Sequence, residues 1–297
     1  MISVICVLFL QKDFKLYMIF LILTIICSTS LALILKHGSV KKSNILLLIN
    51  GNYLTASVFA LIFIFFKGGF HFSISATLFA IGLGVLFAET FVIYSKAINY
   101  AGTALATVSA RLSVLIPVLA SIILYGEKPN LQMLVGFTLV LVTLYFFYLS
   151  LKNHGNSSES TAKYLYLFLL LIGIGFVDLS MKMFERNFPI DEKGTFVFQI
   201  FSFAFLYTLI RILIGEIKFD KETYKIGLIL GFPNVLAIHF LLAALSALPA
   251  IIVFPIQNIG VIVLTAIAAY IFWKEQINLY GKIALAVGIA AILLLKL

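Results

Sequence analysis

The sequence predicts an all-α integral membrane protein, with ten transmembrane helices as two inverted five-helix repeats. Three observations carry that expectation. Of 297 residues, 63% are hydrophobic and only 11% charged, with mean hydropathy +1.15. A soluble domain carries about 25% charged residues, so no water-facing fold could cover this much apolar surface. The apolar runs have the ~20 residues a helix needs to cross the hydrocarbon core, without the period-two alternation of a membrane barrel. The one clear linker, Lys152–Lys163 (KNHGNSSESTAK), leaves five spans on either side.

In order, the spans fall at about 16–35, 44–66, 73–97, 103–124, 131–151, 164–184, 195–214, 225–246, 250–272 and 279–296. The chain thus divides into a segment 1–15, a first repeat 16–151, the linker 152–163 and a second repeat 164–297. MISVICVLFL at the start is apolar but short and has no positive residues before it, so it makes a poor signal peptide and receives no role. Two markers support duplication. Lys36 and Lys182 close the first and sixth spans, 182 − 36 = 146 apart, and Glu127 and Glu275 follow the fourth and ninth, 275 − 127 = 148 apart. The tight turns at 99–102 and 247–250 correspond as well. Because five is odd, the second copy enters the membrane from the opposite side, the architecture of many alternating-access transporters.

Composition also narrows function. The net charge of +9 and pI of about 9.4 come from basic residues scattered over short loops, none in a longer run than Lys41–Lys42, which is the pattern of helix flanks rather than of a nucleic-acid surface. Cys6 and Cys27 lie in apolar sequence without metal-ligand spacing and are expected to be free thiols. There is no HExxH, GxSxG, Gly-rich phosphate loop or Cys/His cluster. No enzyme activity and no cofactor are therefore expected, and no soluble stretch is long enough for a nucleotide-binding domain. The partners expected are a small-molecule solute and the lipid bilayer, not nucleic acid, with the chain a monomer or homodimer. With Arg111 and Arg211 set aside as embedded, 8 Lys/Arg fall on the N-terminal side and 11 opposite, a slight lean towards an outside N-terminus.

A helical hairpin AINYAGTALATVSA, apolar sequence containing Pro117, then YGEKPNLQMLVGFTLVL occupy the first half; ALSALPAIIVFP and WKEQINLYGKIALAVG occupy the second. In these features the chain resembles the EamA-type branch of the drug/metabolite transporter superfamily. Its pattern is a small-residue turn, a helix, Gly-Glu, then a helix with an early glycine, matched by Gly126, Glu127 and Gly136. Glu275 matches in the second half, which departs in lacking a glycine before it and in carrying Ala284 where Gly136 would align. The resemblance runs from Leu16 to the end. It implies a ten-helix fold of inverted repeats, a central cavity, solute export or exchange, and cytoplasmic termini, against the slight charge count. It does not fix a substrate.

Candidate site residues are the ionisable and polar groups inside spans, where a charge is costly unless paired or hydrated. Glu89 and Arg111 each lie about ten residues from the turn at 99–102, hence roughly 15 Å deep and near the midplane of a ~30 Å core. They read either as a cavity-lining pair or as an ion pair locking two helices. Thr103, Thr107 and Arg111 form one stripe. Asp178 stands four residues before Lys182, which suits either a site or a local ion pair. His239 and Gln257 flank the second turn at matched depth; a packing histidine and interhelical hydrogen bonds from Gln257 and Asn258 are the plainer alternatives. Asn50, Tyr53 and Ser57 share a face of the second span, as Gln199 and Ser202 do on the seventh. Arg211, near a span end, is expected to snorkel. Glu127 and Glu275, at helix ends by the interface, are expected to cap the next helix or anchor the loop. Pro117, Pro233 and Pro255 are candidate kinks.

The function these residues suggest is secondary transport of a small polar metabolite by rocking of the repeats. Charges of both signs suit a zwitterion, hence amino acids or related metabolites, exported across a plasma or bacterial inner membrane. For proton coupling, Asp178 is preferred to a Glu89 engaged by Arg111. Two alternatives stay open: a flippase for a lipid-linked substrate, hinted at by Lys218, Lys221 and Lys225, and a non-transporting membrane subunit.

Overall fold

A computed structural model describes residues 17–34, 44–66, 69–152, 161–273 and 278–296. All the regular structure among them is helical: α1 (Tyr17–Ile34), α2 (Ile45–Phe66), α3 (Ile74–Leu112), α4 (Leu115–Tyr125), α5 (Leu131–Lys152), α6 (Thr161–Asn187), α7 (Lys193–Ile214), α8 (Lys221–Leu245), α9 (Ala250–Trp273) and α10 (Leu279–Lys296). A single 3-10 turn, Ile190–Glu192, leads into α7. Among the described residues nine segments are long and apolar enough to cross a membrane, and α10 supplies a shorter tenth.

Helical backbone runs through all 39 residues of α3, including the turn expected at 99–102. Straight, such a helix would reach ~58 Å, nearly twice the hydrocarbon thickness. Its contacts show that it folds back on itself. Ala97 and Ala106 share one small cluster with Leu170 of α6. Lys96 lies over the Tyr166 ring, while Ser109 donates to the carbonyl of the next residue, Leu167, at 2.5 Å. Residues 96 and 109 of a straight helix would be ~20 Å apart and could not meet adjacent residues of α6. The hairpin is thus present, its reversal built within helical backbone, and two spans result, Ile74–Ala101 and Ala106–Tyr125.

The interruption in the helical backbone falls later, at Ser113–Val114, and Pro117 explains it. Proline has no N–H to offer the carbonyl four residues back, that of Ser113. That carbonyl instead accepts from Ile116 at 3.0 Å, and Val114 donates to Arg111. α8 and α9 carry Pro233 and Pro255 inside continuous helices.

The repeat is visible in the element starts: 193 − 45 = 148 for α7 and α2, 221 − 74 = 147 for α8 and α3, and 279 − 131 = 148 for α10 and α5. Equivalent helices meet head to tail. In α2 and α7, Asn50 meets Phe205 and Thr208 while Ile64 lies by Gly194. In α5 and α10, Gln132 donates to Leu294 and Ser150 to Asn278. In α4 and α9, Glu127 at one end reaches Ala250, and Arg111 just before α4 reaches Asn258. Counterparts that contact each other antiparallel across a shared axis are inverted copies, as the odd span count requires.

The two halves also interlock by equivalent glycine contacts. A Cβ on Gly231 of α8 would stand 2.3 Å from the Asn52 carbonyl of α2, and one on Gly84 of α3 would stand 2.8 Å from the Ile200 carbonyl of α7. Those glycines are 231 − 84 = 147 apart, the repeat offset. Small residues let membrane helices approach this closely, where dispersion rather than hydrophobicity holds them. The core follows these seams, with Tyr53, Phe196, Phe201 and Phe254 fully buried.

Candidate functional site

The break that Pro117 forces comes two residues after Arg111, which closes α3's second arm deep in the bundle. Arg111 donates to Asn258 Oδ1 of α9 at 3.3 Å. Asn258 is oriented for this because its amide nitrogen donates one turn back, to the Phe254 carbonyl. The Arg111 charge also faces Asp178 of α6 and Tyr94 of α3's first arm. Both charged side chains are half-buried. Among the described residues no hydrogen bond or ion pair joins them, and Arg111 Nε and Gln257 Oε1 lack partners. An acid from the second repeat and a base from the first therefore stand near one another without closing on each other. Thr107, half-buried, shares the Arg111 face one turn earlier.

Glu89 is not part of this group, contrary to the pairing expected from depth. It forms an ion pair with Arg211 of α7 and accepts a hydrogen bond from Tyr207, one turn before Arg211 on the same face. Arg211 also donates to the Tyr207 hydroxyl. Arg211 therefore holds a partner where snorkelling was expected. The side chains of Glu89 and Arg211 are 33% and 41% exposed. The matched depth says how far along its helix each residue sits, and nothing about which way it faces.

A second departure concerns Lys182. A local pair with Asp178 was one of the open readings; instead Lys182 bridges Glu127 at 3.2 Å and Glu185 at 2.9 Å, with all three side chains under 20% exposed. Glu127 additionally accepts from the backbone N–H groups of Ala250 and Ile251 at 3.0 and 3.1 Å. It thus caps the start of α9, where the free N–H groups and the helix dipole favour a carboxylate. Gly126 makes this possible: at φ +66 it closes α4 in the left-handed conformation that suits glycine, and the chain turns towards α9. One carboxylate and one ammonium so join α4, α6 and α9 at the end of the bundle where the α4–α5 connection lies. Near the same end, Ser73 caps α3 and donates to Glu192 at 2.9 Å. The equivalent Glu275, with Lys36, Cys6 and the segment before Tyr17, lies outside the described residues.

The remaining candidates are distributed along the seams. Asn50, expected on a cavity wall, is 2% accessible; it donates to Phe205 O and Thr208 and accepts from Tyr224. Tyr53 is wholly enclosed between Phe91 and Phe201, its hydroxyl without a partner. Ser57 bonds within its own helix, and Gln199 donates to Thr77 of α3. His239 packs edge-on against Phe63 of α2 at 5.1 Å. Lys218, Lys221 and Lys225 are exposed around the start of α8, with Lys225 held by Glu222. Residues not singled out from sequence are Tyr94 and Tyr207. Tyr207 stands four residues before Arg211, a spacing that pairs side chains on a helix and was available as a signal.

A family model described as the EamA-like transporter family matches residues 15–149 and again 161–297. The two matches coincide with the two halves related above. An uncharacterized protein of Haemophilus influenzae is 28% identical over 287 residues, spanning 92% of this chain and 95% of that one. A protein of known crystal structure superposes with TM-score 0.77 at 15% identity over 94% of this chain and 96% of the other, a likeness of fold.

Proposed function

The chain belongs to the EamA-like transporter family, and from that membership we propose that it is a secondary transporter of small polar metabolites, amino acids or related zwitterions. The observation that carries this reading is the Arg111–Asp178 arrangement: opposite charges contributed by opposite repeats, close enough to interact but not bonded to each other. A zwitterion offers a carboxylate for the first and an ammonium for the second, with Asn258 and Thr107 on the Arg111 side, and Gln257 next to Asn258 in α9, for its remaining polar atoms. Glu89 stands apart and acts with Tyr207 and Arg211 as a polar contact between α3 and α7. Asn50 and Tyr53 pack against the same helices, and His239 packs α8 against α2.

Alternating access follows from the inverted seams. The Glu127–Lys182 cluster and the Ser73–Glu192 bond tie the repeats at one end of the bundle and are well covered, whereas the Glu89–Arg211 pair towards the other end is half exposed. In our reading this conformation is closed at the α4–α5 end, and rocking about the central site breaks one set of ties as it makes the other. Asp178, not claimed by Lys182, serves as the proton carrier, and the solute is exported across a plasma or bacterial inner membrane without covalent chemistry. The chain works as a monomer or homodimer.

Thermal unfolding of the purified protein over a metabolite panel tests the proposal. Millimolar zwitterionic amino acids are expected to raise the unfolding temperature, and Arg111→Gln to remove that rise. Stabilisation by a lipid-linked substrate or a non-zwitterionic class instead would sink it.

A further inference from the structure

A cavity of about 460 Å³ lies on the flank of the bundle, walled by the second arm of α3, the last turns of α5 and the first turns of α6. Its size falls within the ~300–1,000 Å³ range of small-ligand sites. Its chemistry excludes a polar guest. Leu112, Leu144, Leu171 and Phe168 dominate the wall, and no charged side chain reaches it. Its one aliphatic hydroxyl, that of Ser109, already donates to the Leu167 carbonyl at 2.5 Å. Water held there would find too few partners, and a polar solute would lose its hydration without replacement. On the open side stand Tyr145 and Phe168, 60% and 61% exposed. In a chain that spans a bilayer, that side faces lipid.

The position along the helices narrows the occupant further. Tyr148 is four residues from the end of α5 and Phe168 seven from the start of α6, so the cavity begins within ~10 Å of the helix ends, in a single leaflet. At the start of α6 Lys163 lies over the Tyr164 ring, 5.7 Å from its centroid. Tyr164 shares the α6 face with Phe168, one turn nearer the headgroups. We propose that this cavity binds one acyl chain of an anionic phospholipid, whose headgroup is held by Lys163. The site is separate from the Arg111–Asp178 pair, neither of which lines it, and does not depend on what is transported. Because α3 and α5 belong to one repeat and α6 to the other, the lipid favours the relative placement of repeats that keeps the cavity open.

The test is native mass spectrometry of the full-length, delipidated protein titrated with phosphatidylglycerol or phosphatidylcholine of equal chain length. One phosphatidylglycerol is expected to be retained in preference to phosphatidylcholine. The variant Lys163→Gln, at the start of α6, should lower phosphatidylglycerol affinity about fivefold and erase the preference, at ~1 kcal/mol per cation. Leu144→Phe with Leu171→Phe, which fills the cavity, should abolish one-to-one retention of both lipids. Equal retention of the two lipids by wild type, or an undiminished preference in the lysine variant, overturns the proposal whether or not the filled variant folds.

Discussion

Replacing Lys182 with methionine probes the tie between the repeats. The ammonium sits 3.2 Å from Glu127 and 2.9 Å from Glu185, and its side chain is only 8% exposed. Methionine preserves most of the volume and removes the charge, leaving two carboxylates facing each other with little water. Breaking a buried pair from one side costs about 3–5 kcal/mol. Part of that is recovered here, because Glu127 keeps two backbone N–H donors at the start of α9, which supports an anion by about 0.3–2 kcal/mol. A net loss of roughly 2–4 kcal/mol is expected. Glu127→Gln should cost less, about 1–2 kcal/mol, since the amide oxygen can still accept one of those bonds and Lys182 retains Glu185. The double variant should then cost less than the two single losses added, because each single change strands a partner that the other removes. Reversible unfolding in mixed micelles measures all three. A Lys182→Met protein within about 0.5 kcal/mol of wild type would refute the cluster's role, as surface changes give losses of that size.

Three further outcomes follow from the same geometry. Arg211→Gln should cost under about 1 kcal/mol in the same unfolding assay, because its pair with Glu89 is half exposed and water screens it; a loss matching that of Lys182→Met would contradict the contrast between the two ends. Gly231→Ala should destabilise by about 1–3 kcal/mol and more than Gly84→Ala, whose Cβ has 2.8 Å rather than 2.3 Å to the facing carbonyl, while Gly82→Ala, with nothing within 4 Å, should be neutral by the same measurement. Asp178→Asn should abolish uptake driven by a pH gradient in proteoliposomes, and undiminished gradient-driven uptake would remove Asp178 from proton coupling.

Depth along the membrane was legible in the residues; azimuth was not. Span number, the repeat offset and the inverted topology follow from hydrophobic run length and an odd count, which act over the whole chain and are insensitive to local packing. The partner of Glu89 depends on rotation about the helix axis, which neighbours fix, and a residue misjudged by 100° faces another helix altogether. Thus Glu89 meets Arg211 and Tyr207 while Arg111 turns to Asn258. Lys182 makes the same point: a sequence neighbour at i−4 was available, but a carboxylate 55 positions away, already fixed by the α9 N-terminus, offers the better site. The Gly126–Glu127 motif marked the right place, and its cap proved to belong to α9 rather than to the helix that follows. The equivalence of Gly84 and Gly231 was present in the sequence at the repeat offset and becomes meaningful only once the close backbone approach is seen.

Counterflow of radiolabelled solutes into proteoliposomes bears most directly on the reading of Arg111 and Asp178 as two poles of one site. At least one zwitterionic amino acid should exchange with wild type, and Arg111→Gln should stop that exchange while unfolding like the parent. If no amino acid exchanges but another class of solute does, or if Arg111→Gln exchanges amino acids as fast as wild type, the two charges do not hold the cargo.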